Sequence, residues 1–190
     1  MARIRTEEEK EAARQAAKQA KKDQWLREQE EKRPTHEKYM KDAIRQAKKA
    51  AALGEVPIGC VIVHDGQVIG RGYNRRNTDK STLAHAEITA IKRASKKLGD
   101  WRLEDCTLYV TLEPCCHYGK TPPCTEAILE QKIARVVIGS RDPNPKVSGK
   151  GAKILREAGV QVEEDFLREE CDALNPVFFH YITTGLPYVV

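Results

Sequence analysis

The sequence predicts an α/β fold, with a hairpin at its start, a mostly parallel sheet and helices on both faces. Apolar runs of strand length recur at Pro57–Val63, Thr107–Thr111 and Arg135–Ser140. The segments between them carry apolar residues at helical spacing. Strands that alternate with helices need crossover connections, which produce parallel pairing. A length of 190 residues fits one domain with an appendage.

The elements follow in chain order. Residues 1–33 are rich in Ala, Glu, Lys, Arg and Gln, with ten basic and eight acidic side chains. Their only large apolar residues are Met1, Ile4, Trp25 and Leu26. Such a stretch has high helix propensity and almost no face to bury, so a solvated helix is expected. The near-balance of charge argues against an arm that grips RNA. Pro34 marks a boundary, giving residues 1–34 as a charged helical extension and 35–190 as the domain. From Thr35, a plausible N-cap, Met40, Ala43, Ile44, Ala47 and Ala51 recur at helical spacing until Gly54. The run Pro57–Val63, the turn His64-Asp65-Gly66 and the return Gln67–Tyr73 make a hairpin. Ile88, Ile91, Ala94 and Leu98 mark a helix that Gly99 ends. Thr107–Thr111 and Arg135–Ser140 read as buried strands. Between these, Pro122-Pro123 opens a short helix through Gln131, since proline suits a first turn. Gly151–Ala158 is expected as helix, Val160–Glu163 as strand and Leu167–Tyr181 as a final helix.

Charge and hydropathy narrow the function classes. Lys plus Arg total 33 against 28 Asp plus Glu, a formal +5 that permits an anionic partner without demanding one. No apolar run approaches the roughly 18 residues of a membrane span, and the start lacks the apolar stretch of a signal peptide. A cytoplasmic protein with no membrane partner is expected. Six cysteines would suit a disulfide framework only in an oxidising compartment. Cys115, Cys116 and Cys124 crowd together beside His117 and several prolines, which points to metal chemistry instead. Cys60, Cys106 and Cys171 lie in apolar contexts and are expected as core thiols. His36 and His64 are expected at the surface.

Two segments carry the chemistry: His85-Ala86-Glu87 at a helix start, and Thr111-Leu112-Glu113-Pro114-Cys115 continuing to Cys124. His85, Cys115 and Cys124 offer one imidazole and two thiolates to a zinc ion, one per chain, leaving a fourth tetrahedral position for water. Cys124 stands at a predicted helix start, where the dipole favours the thiolate. Two thiolates and a neutral imidazole cancel the charge of the ion, which stays an effective Lewis acid. Glu87 is no ligand and is free to move protons. Hydrolytic deamination needs this division of labour. A closed structural site would instead recruit Cys116 or His117 as a fourth ligand.

His-Ala-Glu followed by Pro-Cys…Cys resembles the signature of the zinc-dependent cytidine and deoxycytidylate deaminase superfamily. The resemblance covers residues 37–190 and implies a three-layer α/β/α cytidine-deaminase-like fold. From Tyr39 to Pro114 the chain is similar to bacterial tRNA adenosine deaminases, through Gly54-Glu55-Val56-Pro57-Ile58-Gly59, Gly72-Tyr73-Asn74-Arg75 and Ala84-His85-Ala86-Glu87. From Thr111 onward it is similar to the deaminase domain of bifunctional riboflavin biosynthesis enzymes. The residues concerned are Cys115 to Cys124, Arg141-Asp142-Pro143-Asn144-Pro145, Val147-Ser148-Gly149-Lys150-Gly151 and Thr184-Gly185-Leu186-Pro187-Tyr188. The zinc loop is the longer riboflavin type, with Tyr118 where the tRNA enzymes place their second cysteine. Glu55-Val56 departs from the Asn-Pro usual in the riboflavin enzymes.

What the resemblance implies about substrate follows the same division. A riboflavin-type enzyme would deaminate a phosphorylated aminopyrimidine, diaminohydroxyphosphoribosylaminopyrimidine, with His117, Lys120, Thr121 and Asn144 lining the pocket and Lys120 and Thr121 nearest the phosphate. A tRNA-type enzyme would convert adenosine to inosine at the wobble position of an anticodon loop, with Asn74 touching the nucleoside. The first is ranked ahead, because much of the tRNA-contacting half is replaced here. A zinc-stabilised module without activity is a third possibility, against which Glu87 weighs. Both families imply a homodimer.

Overall fold

The computed structural model describes residues 7–119, 121–144 and 148–188. The chain falls into two compact units, residues 1–37 and 38–190. Helix α1 spans Glu7–Ala52, with Pro34 inside it. Sequence reading expected a break at Pro34 and a fresh start at Thr35. Proline removes one backbone bond at a cost of about 3 kcal/mol. Here strong helix formers on both sides carry the helix across it.

The second unit contains the sheet. Its strands are β1 (Gly59–His64), β2 (Gln67–Tyr73), β3 (Thr107–Leu112), β4 (Arg135–Ser140) and β5 (Gln161–Glu163). They lie in the order β2-β1-β3-β4-β5. The β3–β4 and β4–β5 ladders are parallel, as crossovers require. The hairpin β1–β2 is antiparallel, and β1 also pairs antiparallel with β3, so the sheet is mixed. The expectation of a mostly parallel sheet overlooked that one hairpin strand inserted beside β3 contributes two antiparallel ladders.

Period-two alternation assigns the two faces. Cys60, Ile62, Leu108, Val110, Val136 and Ile138 face one side, where they form a core with α2 (Ala86–Leu98), α3 (Cys124–Glu130) and α4 (Lys150–Glu157). Val61, Val63, Tyr109 and Val137 face the other, against Tyr39, Met40, Ala43 and Ile44 of α1 and Phe166 and Cys171. The three-layer α/β/α arrangement is therefore observed.

Cys60, Cys106 and Cys171 are buried, as expected of core thiols. No described helix is long and apolar enough to cross a membrane. The single final helix expected over Leu167–Tyr181 is two, α5 (Arg168–Asp172) and α6 (Pro176–Thr184). Pro176 disfavours helical backbone at Asn175, which sits at φ −140 and ψ 53, and then opens α6 from its first turn.

Candidate metal centre and active site

The centre forms beyond the carboxyl end of β3, where the sheet changes direction. On one side of β3 its neighbour β1 is antiparallel; on the other β4 is parallel. Open α/β sheets place their ligand sites at such a switch point. His85 is the residue that precedes α2, held extended at φ −77 and ψ 154. Cys115 follows β3 after the Glu113-Pro114 step, and Cys124 is the first residue of α3, behind Pro123. Two helix starts and one strand end thus converge.

The ligand atoms of His85, Cys115 and Cys124 all lie within 4.8 Å of one another. The Cys124 sulfur is 3.4 Å from Nδ1 of His85, and the Cys124 amide donates to the Cys115 sulfur at 3.2 Å. Zinc–sulfur and zinc–nitrogen bonds of about 2.3 and 2.0 Å subtend a tetrahedral edge of roughly 3.5 Å, so the observed spacing suits that ion. The chemistry agrees. The Cys124 thiol, His85 and the Cys124 amide hold Cys115 down at about 4, against the effect of burial. The side-chain bond with Cys115, burial and then Glu87 push Cys124 up, and contact with Cys115 raises His85. Two sulfurs and an imidazole are a donor set that a zinc ion takes. Among the described residues this is the one group of three such side chains. Cys116 and His117 stand outside it, so the geometry is that of an open three-ligand site.

Glu87 lies in the first turn of α2 and is 4 % exposed. Burial, then the Cys115 charge, raises its carboxyl above the usual range. Below it, the buried Cys60 thiol is pushed well up by burial and by Glu87 itself, so Cys60 is a packing residue. Glu87 is therefore a dry carboxyl beside the ligands.

Asn74, expected to touch a nucleoside, is buried, and its Oδ1 accepts the Ala86 amide at 3.0 Å. His85 makes no side-chain cap to α2, and Asn74 takes over that duty from the end of β2. His117 is exposed and Thr121 half-buried. Asn144 is half-buried, its amide donating to Asp142 Oδ1 at 2.8 Å. Lys120 lies outside the described residues.

Sequence reasoning assigned no role to Glu55, Glu113 or Asp142. Glu55 is buried and accepts both the amide and hydroxyl of Thr78, at 2.6 and 2.8 Å, fixing the loop that leads to His85. Asp142 is half-buried; its carboxyl is raised by burial against the Asn144 amide bond, and its own amide donates to Glu113 Oε2 at 3.2 Å. Glu113 is buried directly after β3. An acidic residue that closes an apolar strand was the visible signal for Glu113; turn chemistry masked Asp142.

Residues 33–140 match the cytidine and deoxycytidylate deaminase zinc-binding region. The riboflavin biosynthesis protein RibD of Actinobacillus pleuropneumoniae is 48% identical over 154 residues, 80% of this chain and 39% of that protein. The diaminohydroxyphosphoribosylamino-pyrimidine deaminase of Buchnera aphidicola subsp. Schizaphis graminum is 41% identical over 155 residues, 78% of this chain and 97% of that protein. The tRNA-specific adenosine deaminase of Bacillus subtilis is 44% identical over 147 residues, 75% of this chain and 88% of that protein. Among solved structures, the diaminohydroxyphosphoribosylaminopyrimidine deaminase/reductase of Thermotoga maritima superposes with a TM-score of 0.72 at 46% identity, over 82% of this chain and 43% of that one. The chain spans about two fifths of the length of the RibD relatives it matches.

Proposed function

The chain belongs to the cytidine and deoxycytidylate deaminase zinc-binding family, and from that membership we propose that it is a zinc-dependent hydrolase that deaminates diaminohydroxyphosphoribosylaminopyrimidine. The observation that carries the choice of substrate is the extent of the match to the Buchnera deaminase, which covers 97% of that protein.

His85, Cys115 and Cys124 would hold the ion. Zinc bound there supplies a Lewis acid that brings the pKa of water to near neutrality. Glu87 takes one proton from the attacking water and gives it to the ring nitrogen. It then takes the second proton from the hydroxyl left on the ring carbon and gives it to the amine, which departs as ammonia when the C–N bond breaks and the carbonyl forms. Burial of Glu87 keeps bulk water from short-circuiting that transfer. The resemblance assigns the wall that receives the phosphorylated ribose to His117, Thr121 and Asn144, and would give the phosphate contact to Lys120 and Thr121. Asn74 serves the site from behind, by holding the start of α2.

A second reading has its own support. The Bacillus subtilis tRNA-specific adenosine deaminase aligns over 88% of its length, and under that resemblance Asn74 would be given a nucleoside contact in addition to its bond to the Ala86 amide. Ammonia release from the phosphorylated aminopyrimidine, compared with an adenosine-containing anticodon stem-loop, decides between the two. Turnover of the pyrimidine alone is expected; turnover of the stem-loop alone refutes the assignment. A homodimer in the cytoplasm belongs to the same proposal, and light scattering at micromolar concentration tests the dimer.

A further inference from the structure

We infer that Glu113 is a positioning residue that locks the β4–α4 segment, the wall carrying Asn144, onto the metal loop. Its carboxylate is 5 % exposed and accepts four backbone amides. Oε1 takes Gly151 at 2.9 Å and Ala152 at 3.3 Å. Oε2 takes Gly149 at 2.9 Å and Asp142 at 3.2 Å. Both ends of the described segment, Asp142 and Gly149–Ala152, are thus tied to one side chain. Its own backbone leads through Pro114 into the ligand Cys115, while its amide donates to Ser140 O at 2.8 Å.

The match of donors to acceptor is specific. Four N–H groups need two acceptor oxygens, which a carboxylate provides and a carboxamide does not. Hydrogen bonds to an ionised acceptor are about twice as strong as neutral ones, and this one replaces water for a fully buried charge. The close approach is permitted by Gly151, where a Cβ would stand 2.5 Å from Pro114 O and 3.1 Å from Glu113 Oε1. The two loops therefore meet backbone to backbone, with Glu113 as the joint. Asp142, Asn144 and the metal ligands are set relative to one another by that joint and not by α4 packing alone.

The consequence for catalysis rests on the substrate assignment above, but the structural part does not, and the test separates them. Zinc-loaded Glu113→Gln is compared with the wild-type holoenzyme. Amide hydrogen exchange at Asp142, Gly149, Gly151 and Ala152 is expected to quicken by about tenfold or more, with core amides such as Ile91 and Ala94 unchanged. Unchanged exchange at the four amides overturns the inference. In turnover of the phosphorylated aminopyrimidine, KM is expected to rise by roughly tenfold while kcat and zinc content hold. A fall in kcat and zinc content at constant KM also overturns it, since Glu113 would then serve the metal loop only. If the wild type does not deaminate the pyrimidine, the substrate assignment fails while the exchange arm still decides Glu113. Should Glu113→Gln not fold, Gly151→Ala forces the same two loops apart and is expected to give the same exchange pattern; wild-type exchange in that variant refutes the joint.

Discussion

Replacing Asn74 by alanine tests how α2 is held. The Ala86 amide is buried and has the Asn74 carbonyl oxygen as its acceptor at 3.0 Å. Because His85 points its ring at the sulfurs, the side chain that would ordinarily cap this helix is committed elsewhere. Removing the acceptor leaves a buried donor unsatisfied, at a cost of about 1–3 kcal/mol. For a domain of this size each kcal/mol lowers the melting midpoint by about 2–4 °C, so the middle of that range, about 2 kcal/mol, gives an expected drop of roughly 4–8 °C. The loss is local to the residue after His85, and a shift of about 1 Å at reacting groups can cost 10²-fold in rate. Thermal unfolding of the zinc-loaded protein by circular dichroism, with metal content measured alongside, checks both effects. Asn74→Asp retains an acceptor at a helix start, where negative charge is favourable, and should keep the midpoint close to wild type. If Asn74→Ala unfolds with the wild-type midpoint and turns over normally, the capping role is refuted. If Asn74→Asp is stable but inactive, the amide nitrogen also touches substrate.

Three further outcomes are expected. Glu87→Gln should retain zinc and lose about 10²–10⁴-fold in kcat, since the carboxamide cannot shuttle a proton; a variant that keeps turnover removes Glu87 from the mechanism. Stripping the metal with a chelator should lower the melting midpoint, because zinc at 100 times its dissociation constant stabilises by about 2.7 kcal/mol, and added zinc should restore it; identical midpoints with and without metal would refute binding at the three ligands. Burial raises the Asp42 carboxyl, but its bonds and ion pair with Arg71, at 2.9 Å, outweigh that and hold it below the usual range. A depressed carboxyl stabilises the fold above its unfolded value near 3.9 and ceases to do so as pH falls through the folded value. Asp42→Asn should therefore flatten the loss of stability below about pH 4; an unchanged acid limb in urea titrations refutes it.

Much of the fold was legible because local pattern and tertiary burial agree. Cys60, Ile62, Leu108 and Val110 alternate with Val61, Val63 and Tyr109 in sequence, and they separate onto the two faces of the sheet. The three ligands were legible because few arrangements of histidine and paired cysteines serve anything but a metal. The failures share a different cause. Pro34 suggests a terminator when proline is weighed by its own backbone alone, whereas helix continuity there depends on the propensity of both flanks. Pro176 is hidden as a break because the apolar run Val177–Tyr181 continues a helical pattern that the Asn175 backbone has already broken. Glu113 is visible as an acidic residue closing an apolar strand, but its four partners are not, because they are amides some 30 to 40 positions downstream and amides leave no trace in residue type.

The contact between α2 and β2 has one more implication. At Gly72 an added Cβ would meet Ala86 O and, at 2.7 Å, Ala90 N; at Gly70 it would meet Ala90 O and, at 2.9 Å, the Ala94 side chain. The helix that begins directly after His85 and bears Glu87 thus rests on bare strand, its height set by missing atoms. Engineers seeking a roomier cleft have no shim to remove beneath that helix. Any bulk placed under it lifts the chemistry away from its sulfurs, so new specificity has to be carved from the opposite rim.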